Sequence, residues 1–194
     1  MFLFWIHQCS LWSDEFDFSL QSGETLLNMY ADPIRLREEL LSKRSSKMAV
    51  DELDAIVSRW PSRSVAGRPL TVVLVMDKCA PEMFADLVLS EFLLSAGFAE
   101  RIIFMPKAIP WFVSDVTQHD FDWLLNEALS GSAVSEKLVT WANRWSQRFH
   151  EGSFVVETHG FWTLPFGYEE LCIRSPGLYS RLITECDVLI FKAS

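Results

Sequence analysis

Two aspartates have the positions in this sequence that most clearly suggest chemistry. Asp77 directly follows the apolar run Val72–Met76, and Asp115 lies in a turn after the next extended segment. Successive parallel strands of an α/β sheet end at the same edge, so these two side chains are expected to converge there. Two carboxylates at one edge could hold a hard divalent cation such as Mg²⁺ or Mn²⁺, because such cations prefer oxygen ligands.

Simpler interpretations compete with the metal site. Asp115 is also well placed to cap the helix that follows it, which is a common role for aspartate. Aspartyl-phosphate phosphatases need a second Asp two residues after the strand-end Asp, and Cys79 stands there. The four histidines have no H-E-x-x-H spacing, and the sequence contains no Walker loop, dinucleotide-binding loop or serine elbow. On spacing alone, the capping role of Asp115 is favoured, and metal binding by the two carboxylates stays open as the alternative with chemistry.

Composition limits the class of protein. The 194 residues are 49% hydrophobic with a net charge of −9, which suits one sizeable core and argues against general nucleic-acid binding. The apolar start "MFLFWIHQCSLW" is too short to span a bilayer and lacks the basic flank of a signal peptide. The four cysteines have no paired spacing, which favours reduced thiols and a cytoplasmic location. We therefore expect neither a nucleic-acid nor a membrane partner.

The segments around the aspartates alternate between strands and helices. Strands are predicted at Val72–Met76, Arg101–Met105, Ser153–Thr158 and Asp187–Phe191. Helices are predicted at Pro81–Ala96, before Gly131, at Ser135–Phe149 and at Gly177–Cys186. This alternation predicts an α/β fold, an open and mostly parallel sheet with flanking helices. Residues 61–194 form the predicted core domain, and residues 1–60 form an N-terminal connecting and helical segment.

Four ordered blocks carry a family resemblance, and from about residue 10 the likeness covers nearly the whole chain. They are "VMDKCAPEMFADLVLSEFLLSAG", "KAIPWFVSDVTQHDFDWLL", "GFWTLPFGYEEL" and "PGLYSRLITECDVLIFK". Together they resemble the metal-dependent damage-control phosphatases, which are sugar phosphate phosphatases also described as acidic-residue methyltransferases. The resemblance implies a Rossmann-like three-layer fold. It also implies Asp77 and Asp115 as metal ligands, Mn²⁺ or Ni²⁺ as the cofactor (with Co²⁺ or Mg²⁺ as alternatives), and a small phosphorylated sugar such as fructose 1-phosphate or fructose 6-phosphate as substrate.

The chain departs from that family pattern at three points. Lys78 stands where the family has an Asn ligand, and an ammonium has only donors, so it cannot ligate a cation. Lys78 could instead replace the cation electrostatically, or simply point to solvent. Ala80 stands where the family has Gly. The family continues after I-F-K with G-D-L-N-Y-R-K-L, whereas this chain ends at "IFKAS", so that Lys192 alone remains of that block as a predicted phosphate contact.

These observations support three hypotheses. The first is a metal-dependent phosphatase of small sugar phosphates. The second is a catalytically inactive fragment or interaction module, a central piece of the family domain that is incomplete at both ends. The third and weakest is a protein carboxyl methyltransferase, although the sequence has no glycine-rich S-adenosylmethionine loop. An incomplete sheet would expose the apolar strand Asp187–Phe191 at an edge, which predicts self-association.

Overall fold

A four-stranded parallel sheet forms the centre of the described part of the chain. The computed structural model describes residue 50 and residues 52–60, 70–79, 81–130 and 136–192. The strands are β1 Thr71–Val75, β2 Arg101–Met105, β3 Phe154–Val156 and β4 Val188–Phe191. The α-helices are α1 Leu53–Ser58, α2 Pro81–Ser95, α3 Gln118–Ser130, α4 Glu136–His150, α5 Leu171–Arg174 and α6 Pro176–Glu185. The predicted α/β class and its open parallel sheet are confirmed.

The strand order is β3-β2-β1-β4, and every neighbouring pair is parallel. β1 and β2 are central, and all five residues of β1 are buried. A continuous run of Val and Leu is typical of a parallel strand that is covered on both faces. Met76, Asp77 and Lys78 continue β1 beyond the sheet, so the side chains of interest lie at its carboxyl edge.

Alternate side chains of the central strands enter two separate cores, which gives the three-layer arrangement. One core joins Val72, Leu74, Ile102 and Phe104 to α2, α3 and α4, with Leu87, Phe121 and Trp145 as buried helix residues. The other core joins Val73, Val75, Ile103 and Met105 to Phe161, α5 and α6. Helices therefore cover both faces of the sheet, and only its edges remain for polar chemistry.

Helix α2 begins and ends where its sequence signals predict. Pro81 is its first residue, a position where the missing N–H costs nothing. Gly97 follows the helix with φ +76°, a left-handed conformation that glycine adopts without strain. The start of α2 is thereby fixed next to Asp77 and Lys78, and its first turns face the carboxyl edge of the sheet.

Several predictions fall outside the described residues. They include Ala80 and most of the predicted N-terminal segment, so the proposed boundary between residues 60 and 61 stays a prediction. In the described part, β4 pairs with β1 on one side only and forms an edge of the sheet. No helix in the described ranges is long and apolar enough to cross a membrane.

Candidate functional site

The turns after β1 and β2 are tied together by backbone hydrogen bonds. Cys79 N donates to Ser114 O at 2.7 Å, and Val116 N donates to Asp77 O at 3.0 Å. Lys78 and Asp115 consequently form an isolated antiparallel bridge outside the sheet. This pairing brings Asp77 and Asp115 to the same edge, in agreement with the convergence expected of parallel strands.

Lys107, which follows β2, connects the two aspartates. Its Nζ lies 2.6 Å from Asp77 Oδ1 and 2.9 Å from Asp115 Oδ1. Sequence reasoning missed this residue, although the argument that placed Asp77 at a strand end applies equally to Lys107, two residues past β2. The contacts show that one oxygen of each carboxylate faces a common point where a positive charge can sit.

Lys78 contributes a second ammonium at the same place. Its Nζ lies 3.0 Å from Asp115 Oδ1 and 4.0 Å from Asp77 Oδ2, and only 8% of the residue is exposed. The ammonium also lies 5.0 Å from the centroid of the Phe112 ring, within the range of a cation–π contact. The interpretation that Lys78 points to solvent is therefore wrong.

Asp115 is buried with both of its oxygens engaged. Its Oδ2 accepts hydrogen bonds from the backbone N–H groups of Trp111 at 2.9 Å and Phe112 at 3.0 Å. Burial alone would raise the pKa of this carboxyl. The hydrogen bonds from Lys107, Phe112, Lys78 and Trp111 outweigh that effect and lower the pKa to about 2. Asp115 is therefore ionised at neutral pH and stabilises the loop before it.

Asp115 does not cap the helix that follows it, so the simpler interpretation of its position is wrong. The start of α3 is secured by Asp120, whose Oδ2 accepts hydrogen bonds from N and Oγ1 of Thr117 at 2.6 and 2.8 Å. This local contact resembles a capping box. Asp115 is thus left for the four-residue charge cluster that it forms with Asp77, Lys78 and Lys107.

Lys192, at the end of β4, lies beside two buried carboxylates of α2. Its Nζ is 3.2 Å from Asp86 Oδ1 and 3.9 Å from Glu82 Oε1. Glu82 Oε1 also accepts a hydrogen bond from Lys78 N at 3.3 Å, which links this group to the charge cluster. Burial raises the pKa of Glu82 to about 7, and the positive charge of Lys192 opposes that shift. The structure thus brings Lys192 to the same end of the sheet as the two aspartates.

Asp77 and Asp115 could hold a divalent cation, because both supply carboxylate oxygens and these oxygens face a common point. One feature of the site restricts this. Small hard cations are often held in proteins by one or two carboxylates, with waters and substrate phosphate completing the shell. The described residues contain no group of three or more His, Cys, Asp or Glu side chains arranged to hold a metal, so within this part of the chain Asp77 and Asp115 would be the ligands. The restriction is that two ammoniums already contact these oxygens, and one of them must move before a cation can enter.

An exposed apolar loop borders the charge cluster. Trp111, Phe112 and Val113 lie between Lys107 and Asp115, and more than half of each is exposed. Trp111 Nε1 donates to Thr163 O, which fixes the indole against the neighbouring turn. The tryptophans differ in burial, since Trp145 is fully buried whereas Trp111 and Trp123 are exposed. Trp111 is exposed because its backbone N–H donates to Asp115, and this hydrogen bond holds the loop at the surface.

Comparison with known proteins gives one consistent family. The model of the damage-control phosphatase ARMT1-like domain matches residues 2–193. Proteins named damage-control phosphatase ARMT1 from Danio rerio and Mus musculus are 32% and 33% identical to this chain, over 95% of its length in each case. The human protein of that name is 31% identical over 197 residues. The chain spans about two fifths of the length of these relatives, 40% and 41% for the fish and mouse proteins.

Proposed function

This chain belongs to the damage-control phosphatase ARMT1-like domain family, and from that premise we propose that it is a phosphatase domain for small phosphorylated sugars. Membership of this family supports, in general terms, a phosphatase that depends on a divalent metal. One observation assigns the proposed metal site to Asp77 and Asp115. Asp77 Oδ1 and Asp115 Oδ1 both lie within 3 Å of a single positive atom at the carboxyl edge of a parallel sheet, which is where such sheets bind ligands.

The proposed ligands of the cation are Asp77 and Asp115, with Mn²⁺ or Ni²⁺ as the preferred ion and Co²⁺ or Mg²⁺ as alternatives. When bound, such an ion polarises phosphoryl oxygens and orients a water for in-line attack. Asp77 and Asp115 keep the ion at the strand ends. The buried setting strengthens these interactions, because the local dielectric is lower than that of water.

The lysines of the cluster supply the other half of the proposed site. Lys107 and Lys78 present ammonium groups beside the carboxylates, where they can donate to the oxygens of a phosphate monoester. Lys192 is the third proposed phosphate contact, although it would share its charge with Asp86 and Glu82. Fructose 1-phosphate and fructose 6-phosphate are the proposed substrates, and the cytoplasm is the proposed location.

Release of inorganic phosphate from each fructose phosphate tests this function. The purified 194-residue chain is assayed with Mn²⁺, Ni²⁺, Co²⁺ and Mg²⁺ in turn, and with a chelator. We expect turnover that needs one of the ions and that falls to the buffer rate in Asp77→Asn and Asp115→Asn. Asp120→Asn is the matched control. Asp120 is an aspartate of the same region, and its side chain accepts hydrogen bonds from Thr117 at the start of α3. Turnover equal in wild type and Asp115→Asn would reject the assignment.

The contact between Lys78 and Asp115 favours a second candidate function, a catalytically inactive interaction module. Two aspartates and two lysines balance one another in the charge cluster, so the folded chain has no electrostatic need for a cation there. This candidate predicts normal folding together with no phosphate release under any metal. It also predicts that Asp77→Asn changes stability and nothing else.

A further inference from the structure

The carboxylate of Asp115 is saturated with donors. Lys78 Nζ and Lys107 Nζ lie 3.0 and 2.9 Å from Oδ1, and two backbone N–H groups donate to Oδ2. An ionised carboxylate offers about four lone-pair sites. A cation can therefore use Asp115 only if one of these four donors leaves.

The four donors differ in how easily they can leave. The N–H groups of Trp111 and Phe112 belong to the backbone of a loop that Trp111 Nε1 holds to Thr163. Lys107 contacts both aspartates at less than 3 Å, so its departure would break two close ion pairs. Lys78 contacts Asp115 closely but reaches only 4.0 Å from Asp77. Of the two ammoniums, Lys78 is therefore the one whose departure breaks fewer close contacts with the two aspartates.

Lys78 also has an alternative position close by. Its ammonium already lies 5.0 Å from the centroid of Phe112, a ring that is 67% exposed. An aromatic face attracts an ammonium through the negative charge of its π system. Movement toward that ring would take Nζ away from Asp115 without leaving the charge fully in solvent.

We propose that Lys78 is an internal cation that competes with a divalent metal for Asp115 and moves toward the face of Phe112 when the metal binds. This inference rests on the proposed function, because it assumes that Asp77 and Asp115 are the metal ligands. Lys78 then controls the affinity of the site, since it sets the metal concentration at which the site fills. Its displaced ammonium remains at the mouth of the site, where it adds positive charge for an anionic phosphate ester.

Titration of Mn²⁺ into the intact chain by calorimetry separates competition from ligation. Lys78→Met removes the charge and adds no oxygen ligand, whereas Lys78→Gln removes the charge and adds an amide oxygen. Lys78→Arg keeps the positive charge and is the matched control. We expect Lys78→Met to bind Mn²⁺ at least about tenfold more tightly than wild type, because a hydrogen bond to a charged group contributes about 1.5–3 kcal/mol. Lys78→Arg should stay near wild type, and Asp115→Asn added to Lys78→Met should abolish binding.

Chemical labelling of the wild-type protein provides a second measurement that needs no variant to fold. Lysines are acetylated briefly with and without saturating Mn²⁺, and the extent at each lysine is read by mass spectrometry. We expect Mn²⁺ to increase acetylation of Lys78 several-fold more than that of Lys107. An unchanged extent at Lys78 with bound Mn²⁺ would overturn the proposed displacement.

The outcomes distinguish the inference from the function on which it rests. If wild type and Lys78→Met bind Mn²⁺ equally well, competition by Lys78 is rejected while the metal site stands. If only Lys78→Gln gains affinity, a missing oxygen ligand is the cause, and competition is again rejected. If neither wild type nor any Lys78 variant binds Mn²⁺, Ni²⁺, Co²⁺ or Mg²⁺, the proposed metal site itself is rejected, and the inference with it.

Discussion

Lys192 Nζ lies 3.2 Å from Asp86 Oδ1, and this contact joins the end of edge strand β4 to helix α2. Asp86 is fully buried, so loss of the ammonium would leave carboxylate charge in the interior. We predict that Lys192→Met lowers the free energy of unfolding by about 3 kcal/mol, the size typical of breaking one partner of a buried pair. Urea denaturation measures this change.

A double-mutant cycle tests whether the pair itself is responsible. Asp86→Asn added to Lys192→Met should recover part of the lost stability, because the buried carboxylate that faced Lys192 is then gone. Strictly additive effects of the two substitutions would show that Lys192 acts through other contacts.

Replacement of Asp115 should destabilise the fold apart from any effect on activity. Asp115→Asn keeps the shape but removes the charge that faces Lys78 and Lys107 in a residue only 2% exposed. We predict a loss of about 3 kcal/mol in the free energy of unfolding. Asp120→Asn, which weakens the start of α3, should cost about 1 kcal/mol. Equal losses in the two variants would contradict the importance assigned to the charge cluster.

Glu82 should make stability fall as the pH rises toward neutrality. Burial raises its pKa from 4.5 to about 7 in the folded protein. Between those values the folded state keeps a proton that the unfolded chain has released, so the free energy of unfolding decreases with increasing pH. The loss is complete above about pH 7 and amounts to about 3 kcal/mol.

Glu82→Gln should remove this slope, since an amide does not titrate. Urea midpoints measured between pH 4.5 and 8 would test it, with the exposed Glu127→Gln of α3 as control. Glu127→Gln should keep the slope of the wild type. If the slope persists in Glu82→Gln as well, Glu82 is not the group responsible.

Phe104 should be among the most sensitive core positions. It is fully buried in the central strand β2, with ring centroids of Phe154 and Phe121 at 5.1 and 5.3 Å. We predict that Phe104→Ala lowers the free energy of unfolding by about 3–5 kcal/mol, because a cavity remains where the ring was. Val113→Ala, at a residue that is 95% exposed, should change it by less than about 0.5 kcal/mol.

The edge that β4 forms in the described part of the sheet should promote self-association of the chain. Leu189 and Phe191 are more than a third exposed, and within the described residues β4 pairs only with β1. Exposed apolar edge strands pair readily with other chains. Light scattering at micromolar concentrations should detect oligomers that Leu189→Lys reduces. A monodisperse monomer in both proteins would contradict the prediction.

Local sequence was sufficient for most of the secondary structure and for the expectation that Asp77 and Asp115 lie at one edge of the sheet. The predicted helix Pro81–Ala96 corresponds to Pro81–Ser95, and the predicted strand Arg101–Met105 has the same bounds in the structure. Proline at a helix start, glycine after its end and unbroken β-branched runs are local signals, so they are readable without tertiary context. The convergence of Asp77 and Asp115 followed from a rule of parallel sheets that needs only the order of the strands.

Other features depended on contacts between segments far apart in the chain. The face of α2 is one example: Phe84 is 36% exposed, whereas its neighbour Met83 and Leu93 are buried. Which residues of a largely apolar helix are covered depends on how the helix is rotated against the sheet, and that rotation is a property of the packed layers.

The sequence by itself determined the family, the parallel α/β architecture and the edge of the sheet at which Asp77 and Asp115 lie. Only the tertiary structure decided how the charges at that edge are paired. Lys107 bridges two aspartates, Lys78 turns inward onto Asp115, and Lys192 lies against Asp86. The physical reason is that ion pairing acts over a few ångströms between side chains from different strands and loops. Neither the type of a residue nor its spacing along the chain specifies those distances.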